Sequence, residues 1–141
     1  MAIELYGLNV LAIVISAIVA FFSGMIWFSK PLFGEVWMRL SGITKESVNK
    51  QKSQGMAGTL VTAFITQIVT SAVLAWFIIA TGMQSALGGL GIGALIWLGF
   101  LGTTQLGSVL WHQKPLVYYA LESGHVLFAL LVTGVILGAW A

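Results

Sequence analysis

The stretch Trp27-Phe28-Ser29-Lys30-Pro31-Leu32 returns further along the chain as Trp111-His112-Gln113-Lys114-Pro115-Leu116. Each copy closes a long apolar run at the point where it meets polar sequence. The likeness extends backwards, with Ser23-Gly24-Met25-Ile26 set against Gly107-Ser108-Val109-Leu110. This pattern predicts an all-α integral membrane fold. Four transmembrane helices would form two helical hairpins whose first helices end alike, arranged as parallel repeats.

The composition around that stretch agrees. The 141 residues are 59% hydrophobic and 7% charged. A soluble domain carries about 25% charged residues, so this chain cannot cover itself with a water-compatible surface and needs a bilayer as solvent. With no cysteine, disulfides, thiolate metal sites and cysteine nucleophiles are excluded. The formal charge of +2 is no nucleic-acid signal. Apart from Lys114, all Lys and Arg lie between residues 30 and 52.

Apolar runs of about 20 residues span a bilayer, and they place spans at residues 8–28, 57–81, 89–111 and 116–140 of a single domain, 1–141. A cleavable leader is not expected, because Glu4 and no lysine precede the first run, which is too long for one. Residues 29–55 form an amphipathic connection. In it Leu32, Phe33, Val36, Trp37 and Leu40 share one face of a short interfacial helix, with Glu35 and Arg39 as an i,i+4 pair on the other. Ser29 is the expected cap of that helix, with Pro31 in its first turn. Gly42 stops it, Thr44 caps a further polar turn and Gly55 ends the segment. Tyr6 and Asn9 are expected at the outer face as anchors.

The basic residues fall in the 1–2 and 3–4 connections only. The positive-inside rule therefore predicts both connections in the cytoplasm and both termini outside. Helices one and three then run in the same direction, as parallel repeats do in several transporter folds.

The order Trp27-Phe28-(x2)-Pro31-Leu32-Phe33-Gly34-(x2)-Trp37-Met38, followed by Gly42-Ile43-Thr44 and a Lys-rich stretch, resembles domain of unknown function 1761. Trp97-Leu98-Gly99-Phe100 and the polar opening of helix four are also similar to that family of small bacterial membrane proteins. The resemblance covers essentially the whole chain. It implies a four-helix integral membrane domain in a bacterial cytoplasmic (inner) membrane, and it brings no established activity and no catalytic residues.

Polar groups inside a span need a partner or a reason. Glu122 and His125 lie three apart on helix four and project to one side. They sit about 9 Å and about 13 Å from the helix start near Leu116. Gln105 lies at similar depth, and Thr66 and Gln67 descend from the same side. These five are the candidate ligand- or ion-binding residues. Three readings of Glu122 and His125 stay open. The first is half of a carboxylate-bridged di-metal site, whose second half this chain lacks. The second is a proton- or cation-binding pair. The third is a pair that hydrogen-bonds its neighbours and fixes helix packing. No metal site and no cofactor is expected on these residues. Gly88-Gly89-Leu90-Gly91-Ile92-Gly93 is not a nucleotide fingerprint, because it follows no strand and opens a span. No aspartate is present and no nucleophile–base set presents itself, so nothing points to an enzyme.

Lys30, Lys114 and Arg39 are candidates for anionic lipid headgroups. The aromatic residues at the span ends, including Trp27, Trp37 and Trp111, read as an interfacial belt. Small residues recur at four-residue steps: Ala12, Ser16, Ala20 and Gly24 on helix one, Gly91, Gly99, Thr103 and Gly107 on helix three, and Gly134 and Gly138 on helix four. Such stripes let helices approach closely, and their number leads to the expectation of a homo-oligomer. Two functions follow as expectations. One is a passage or binding site for a small solute or ion. The other is a structural or lipid-interacting module of the bilayer without transport activity.

Overall fold

Asn9 closes the first turn of the first long helix: its Oδ1 accepts from the backbone N–H of Ala12 at 3.1 Å, and α1 then runs Val10–Trp27. The structure, a computed structural model, describes residues 4, 5 and 7–140. Tyr6 lies outside the described residues. Ahead of α1 a two-residue antiparallel ladder pairs β1, Glu4–Leu5, with β2, Leu8–Asn9. The helices that follow are α2, Gly34–Ser41; α3, Lys45–Ser53; α4, Ala57–Ala80; α5, Ala86–Leu110; and α6, Leu116–Trp140. Helices α1, α4, α5 and α6 are long and apolar enough to cross a membrane.

The apolar side chains are distributed inside-out. Val61, Trp76, Leu95 and Phe100 are all more than half exposed, which only a hydrocarbon solvent tolerates at this density. The interior is small and includes Ala12, Ile13, Leu74, Ile78 and Leu130. Helix α5 lies along α6, α1 packs on both α4 and α6, and α5 meets α4 only lightly.

The close α5–α6 approach has a chemical cause. A Cβ on Gly89 would fall 2.7 Å from the carbonyl carbon of Gly134, and one on Gly138 would fall 3.0 Å from Cα of Gly89. Gly93 faces the backbone of Leu130 in the same way. Backbone therefore touches backbone, as small-xxx-small packing allows in membranes. The expected face of α5 differs from this one. A Cβ on Gly91 or Gly99 would meet nothing within 4 Å, so these two glycines point away from the bundle while Gly89 and Gly93 face in. On α1 the stripe is internal: Ala12, Ser16 and Ala20 are all buried. The stripes of α1 and α6 are thus used within the chain.

Helix α5 is not regular. Residues Trp97–Gly102 form a π-helical turn, which leaves the local ladder out of step. The carbonyl of Gly102 is satisfied from outside, by the Tyr119 hydroxyl at 2.7 Å.

The connection between α1 and α4 also differs in detail from the expected one. Pro31 lies in a turn rather than inside α2, and Ser29 hydrogen-bonds back to Ile26 O at 2.6 Å. Helix α2 opens at Gly34, which is buried because its backbone lies against Phe28 and Ser29. Gly42 ends α2 at φ 82°, a left-handed conformation that glycine adopts without penalty. Thr44 and Ser47 form a reciprocal capping box on α3, and α3 is solvated.

Candidate functional site

Three indoles from three different elements converge on one turn of α6. Trp27, at the end of α1, donates to Leu121 O at 3.1 Å. Trp37, on α2, donates to the Glu122 carboxylate. Trp97, on α5, donates to Ser123 O at 2.9 Å and to its hydroxyl at 3.1 Å. Each ring is half-buried, so its N–H needs an acceptor and its apolar body fills a gap between helices. Lys114 adds a fourth tie. Its Nζ donates to Leu40 O at 3.1 Å, in the last turn of α2, and stands 5.4 Å from the Tyr118 ring centroid. Helix α2 is therefore tied to α6 at its middle, through Trp37, and to the turn before α6 at its last turn, through Leu40 O.

His125 lies one turn further in. Ser23 donates its hydroxyl proton to Ala20 O at 2.7 Å, so its oxygen accepts from His125, whose Nε2 lies 3.2 Å away. The tautomer with its proton on Nε2 satisfies this geometry, and Nδ1 is then an acceptor. The ring packs against Trp27 and Phe28, at centroid separations of 5.8 and 5.4 Å. Gly24 makes room for it, since a Cβ there would lie 3.2 Å from His125 Cε1.

The structure divides the candidate residues between two cavities. A cavity of about 430 Å³ between the end of α5 and the start of α6 is lined by Gln105, Ser108, Trp111, Tyr118, Tyr119 and Glu122. Gln105 Oε1 is buried without a hydrogen-bond partner. A second pocket, of about 190 Å³, lies inside the bundle and is lined by Gln67, Ser71, His125 and Thr133. Glu122 and His125, adjacent on one helix face, thus open into different spaces and bond to different partners. Thr66 is exposed and gives its hydroxyl to Ala63 O at 2.6 Å, so it lines neither space. Lys30 and Arg39 are exposed, whereas Lys114 is half-buried on α2.

Among the described residues, no group of three or more His, Cys, Asp or Glu side chains could hold a metal ion. The two Trp-x-x-Lys-Pro-Leu copies also take different roles. Trp27 is built into the bundle, and Trp111 is 81% exposed at the rim of the larger cavity.

The sequence left the partners of Glu122 and His125 unnamed, beyond a reading in which the pair hydrogen-bonds its neighbours. The signal that was available is Trp37, three residues after Gly34, a donor on the apolar face of α2, where an N–H has to find an acceptor.

Residues 11–138 match the model of a family described as "Protein of unknown function (DUF1761)". No curated protein matches the chain, and no solved structure matches it.

Proposed function

The chain belongs to the DUF1761 family, and on that premise we propose that this multi-pass membrane protein binds a small cationic solute in the cavity beside Glu122. Glu122 is the one acidic residue within the four spans. A carboxylate at this depth is costly and marks a functional site by default. The observation that carries the reading is its company. The carboxylate shares about 430 Å³ with the Gln105 side chain and the rings of Trp111, Tyr118 and Tyr119. An aromatic-lined space of drug-molecule size with a carboxylate on its wall suits an ammonium-type cation.

The setting of this site is part of the same reading. Helices α1 and α4 form one hairpin and α5 and α6 a second, in parallel repeat. Helix α2 lies in the interface, the two basic connections face the cytoplasm, and both termini face out of a bacterial inner membrane. The charge asymmetry of the sequence supports this orientation. The exposed Lys30 and Arg39 then stand where anionic headgroups are.

The test is binding of tetraphenylphosphonium to the protein in nanodiscs. Saturable binding is expected, with loss in Glu122→Gln. The amide keeps an oxygen for the Trp37 N–H, so the variant should fold. Equal binding by Glu122→Gln, or uptake no greater than by empty nanodiscs, would reject the reading.

A second reading rests on the Trp37–Glu122 bond itself: Glu122 and His125 fix α2 and α1 onto α6, and the chain is a structural module. It predicts that Glu122→Gln is neutral in every assay, while Glu122→Leu loses stability.

A further inference from the structure

The light contact between α4 and α5 leaves a lateral groove of about 410 Å³, walled by Val69, Val73, Phe77, Ile96 and Phe100. Thr70, Leu101 and Leu130 line both this groove and the pocket holding Gln67, Ser71 and His125. The two spaces therefore adjoin across these three residues, apolar along the groove and polar at the end nearer α3. The groove faces the hydrocarbon layer, because Val69, Val73 and Phe100 on its walls are about half exposed or more.

The donors at the polar end can be identified by elimination. Thr70 gives its hydroxyl to Thr66 O at 2.9 Å, and Thr133 gives its own to Ala129 O at 2.7 Å. His125 Nε2 is taken up by Ser23, at 3.2 Å. The amide of Gln67 and the hydroxyl of Ser71, a residue only 2% exposed, are left to donate into the pocket.

Depth then selects the ligand. Gln67 sits about 15 Å along α4 at 1.5 Å per residue, close to the middle of a hydrocarbon core about 30 Å thick. A charged head is expensive there, which disfavours fatty acids and phospholipids, whose heads belong at the interface. We propose that this groove binds a neutral, bilayer-soluble carbonyl compound with an apolar tail, of the chemistry of a prenylated quinone. A ring carbonyl accepts from Gln67 and Ser71, and the tail lies along Val69, Val73 and Phe77. The site is separate from the Glu122 cavity and does not depend on what that cavity binds.

The experiment uses the full chain in nanodiscs, with tritiated decylubiquinone as probe and empty nanodiscs as the partition control. Saturable uptake above the control is expected. Gln67→Leu removes one neutral donor and should weaken binding about fivefold. Val73→Trp fills the groove from a lipid-exposed position, so it should fold and abolish saturable uptake. Sodium dodecanoate should compete poorly and unlabelled decylubiquinone well. The proposal is overturned by uptake indistinguishable from empty nanodiscs, by wild-type affinity in both variants, or by displacement with dodecanoate as effective as with the quinone.

Discussion

Replacing Gly89 by Ala tests the α5–α6 seam most directly. The added Cβ would lie 2.7 Å from the Gly134 carbonyl carbon, nearer still to its oxygen, and 3.1 Å from Cα of Gly138. These are backbone atoms of a packed helix, so no rotamer change can relieve the clash. The helices would have to separate by about 1 Å, and close-packed interiors resist such a shift. Overpacking of this kind costs about 3 kcal/mol, the upper end of its usual range. The gain in helix propensity from Gly to Ala is about 1 kcal/mol. The net expectation is a loss of about 2 kcal/mol. The control is Gly91→Ala, two residues away on the same helix. There a Cβ meets nothing within 4 Å, so only the propensity gain remains and the variant should be neutral or more stable. Reversible unfolding in mixed micelles, followed by circular dichroism, measures both. If Gly89→Ala is as stable as the wild type, or if Gly91→Ala loses as much, then the seam does not hold these helices.

Other perturbations separate the contacts around α2. Trp37→Phe keeps an aromatic ring but removes the N–H that donates to the Glu122 carboxylate, and it should cost about 2 kcal/mol in the same unfolding assay. In the double variant with Glu122→Leu most of that cost should disappear. Lys114→Met removes the donor to Leu40 O; protease cleavage in residues 43–55 should then accelerate, with unfolding of the spans little changed. Gln113 holds φ 55°, a left-handed conformation that costs a non-glycine residue about 1 kcal/mol. Gln113→Gly should therefore stabilise the protein by up to about that amount, read as a rise in Tm.

Much of the local structure was legible before any packing was known. The four apolar runs, the stop at Gly42, the Thr44 cap and the close of the connection at Gly55 all follow from period, length and residue chemistry. The exact start of α2 did not, because Pro31 suits either a first helical turn or the turn before it. What placed α2 at Gly34 is the contact of that glycine with Phe28 and Ser29, which is tertiary. The π-helical turn at Trp97–Gly102 was also unreadable, since an isolated α5 would simply continue its ladder. It accompanies the Trp97 bond to Ser123 and the Tyr119 bond to Gly102 O, both made by another helix's residues.

The sequence by itself determined that this chain dissolves in a bilayer and roughly where it crosses, because hydropathy and length are properties of a segment alone. Only the tertiary structure decided which side of each span faces inward. A helix apolar all round has no polar face to orient it, so Gly91 and Gly99 looked as good a seam as Gly89 and Gly93. The same cause hid the separation of Glu122 from His125. Adjacency on one helix face is readable from spacing, but the neighbour that each side chain meets is set by the helices on either side, Trp37 on α2 for one and Ser23 on α1 for the other.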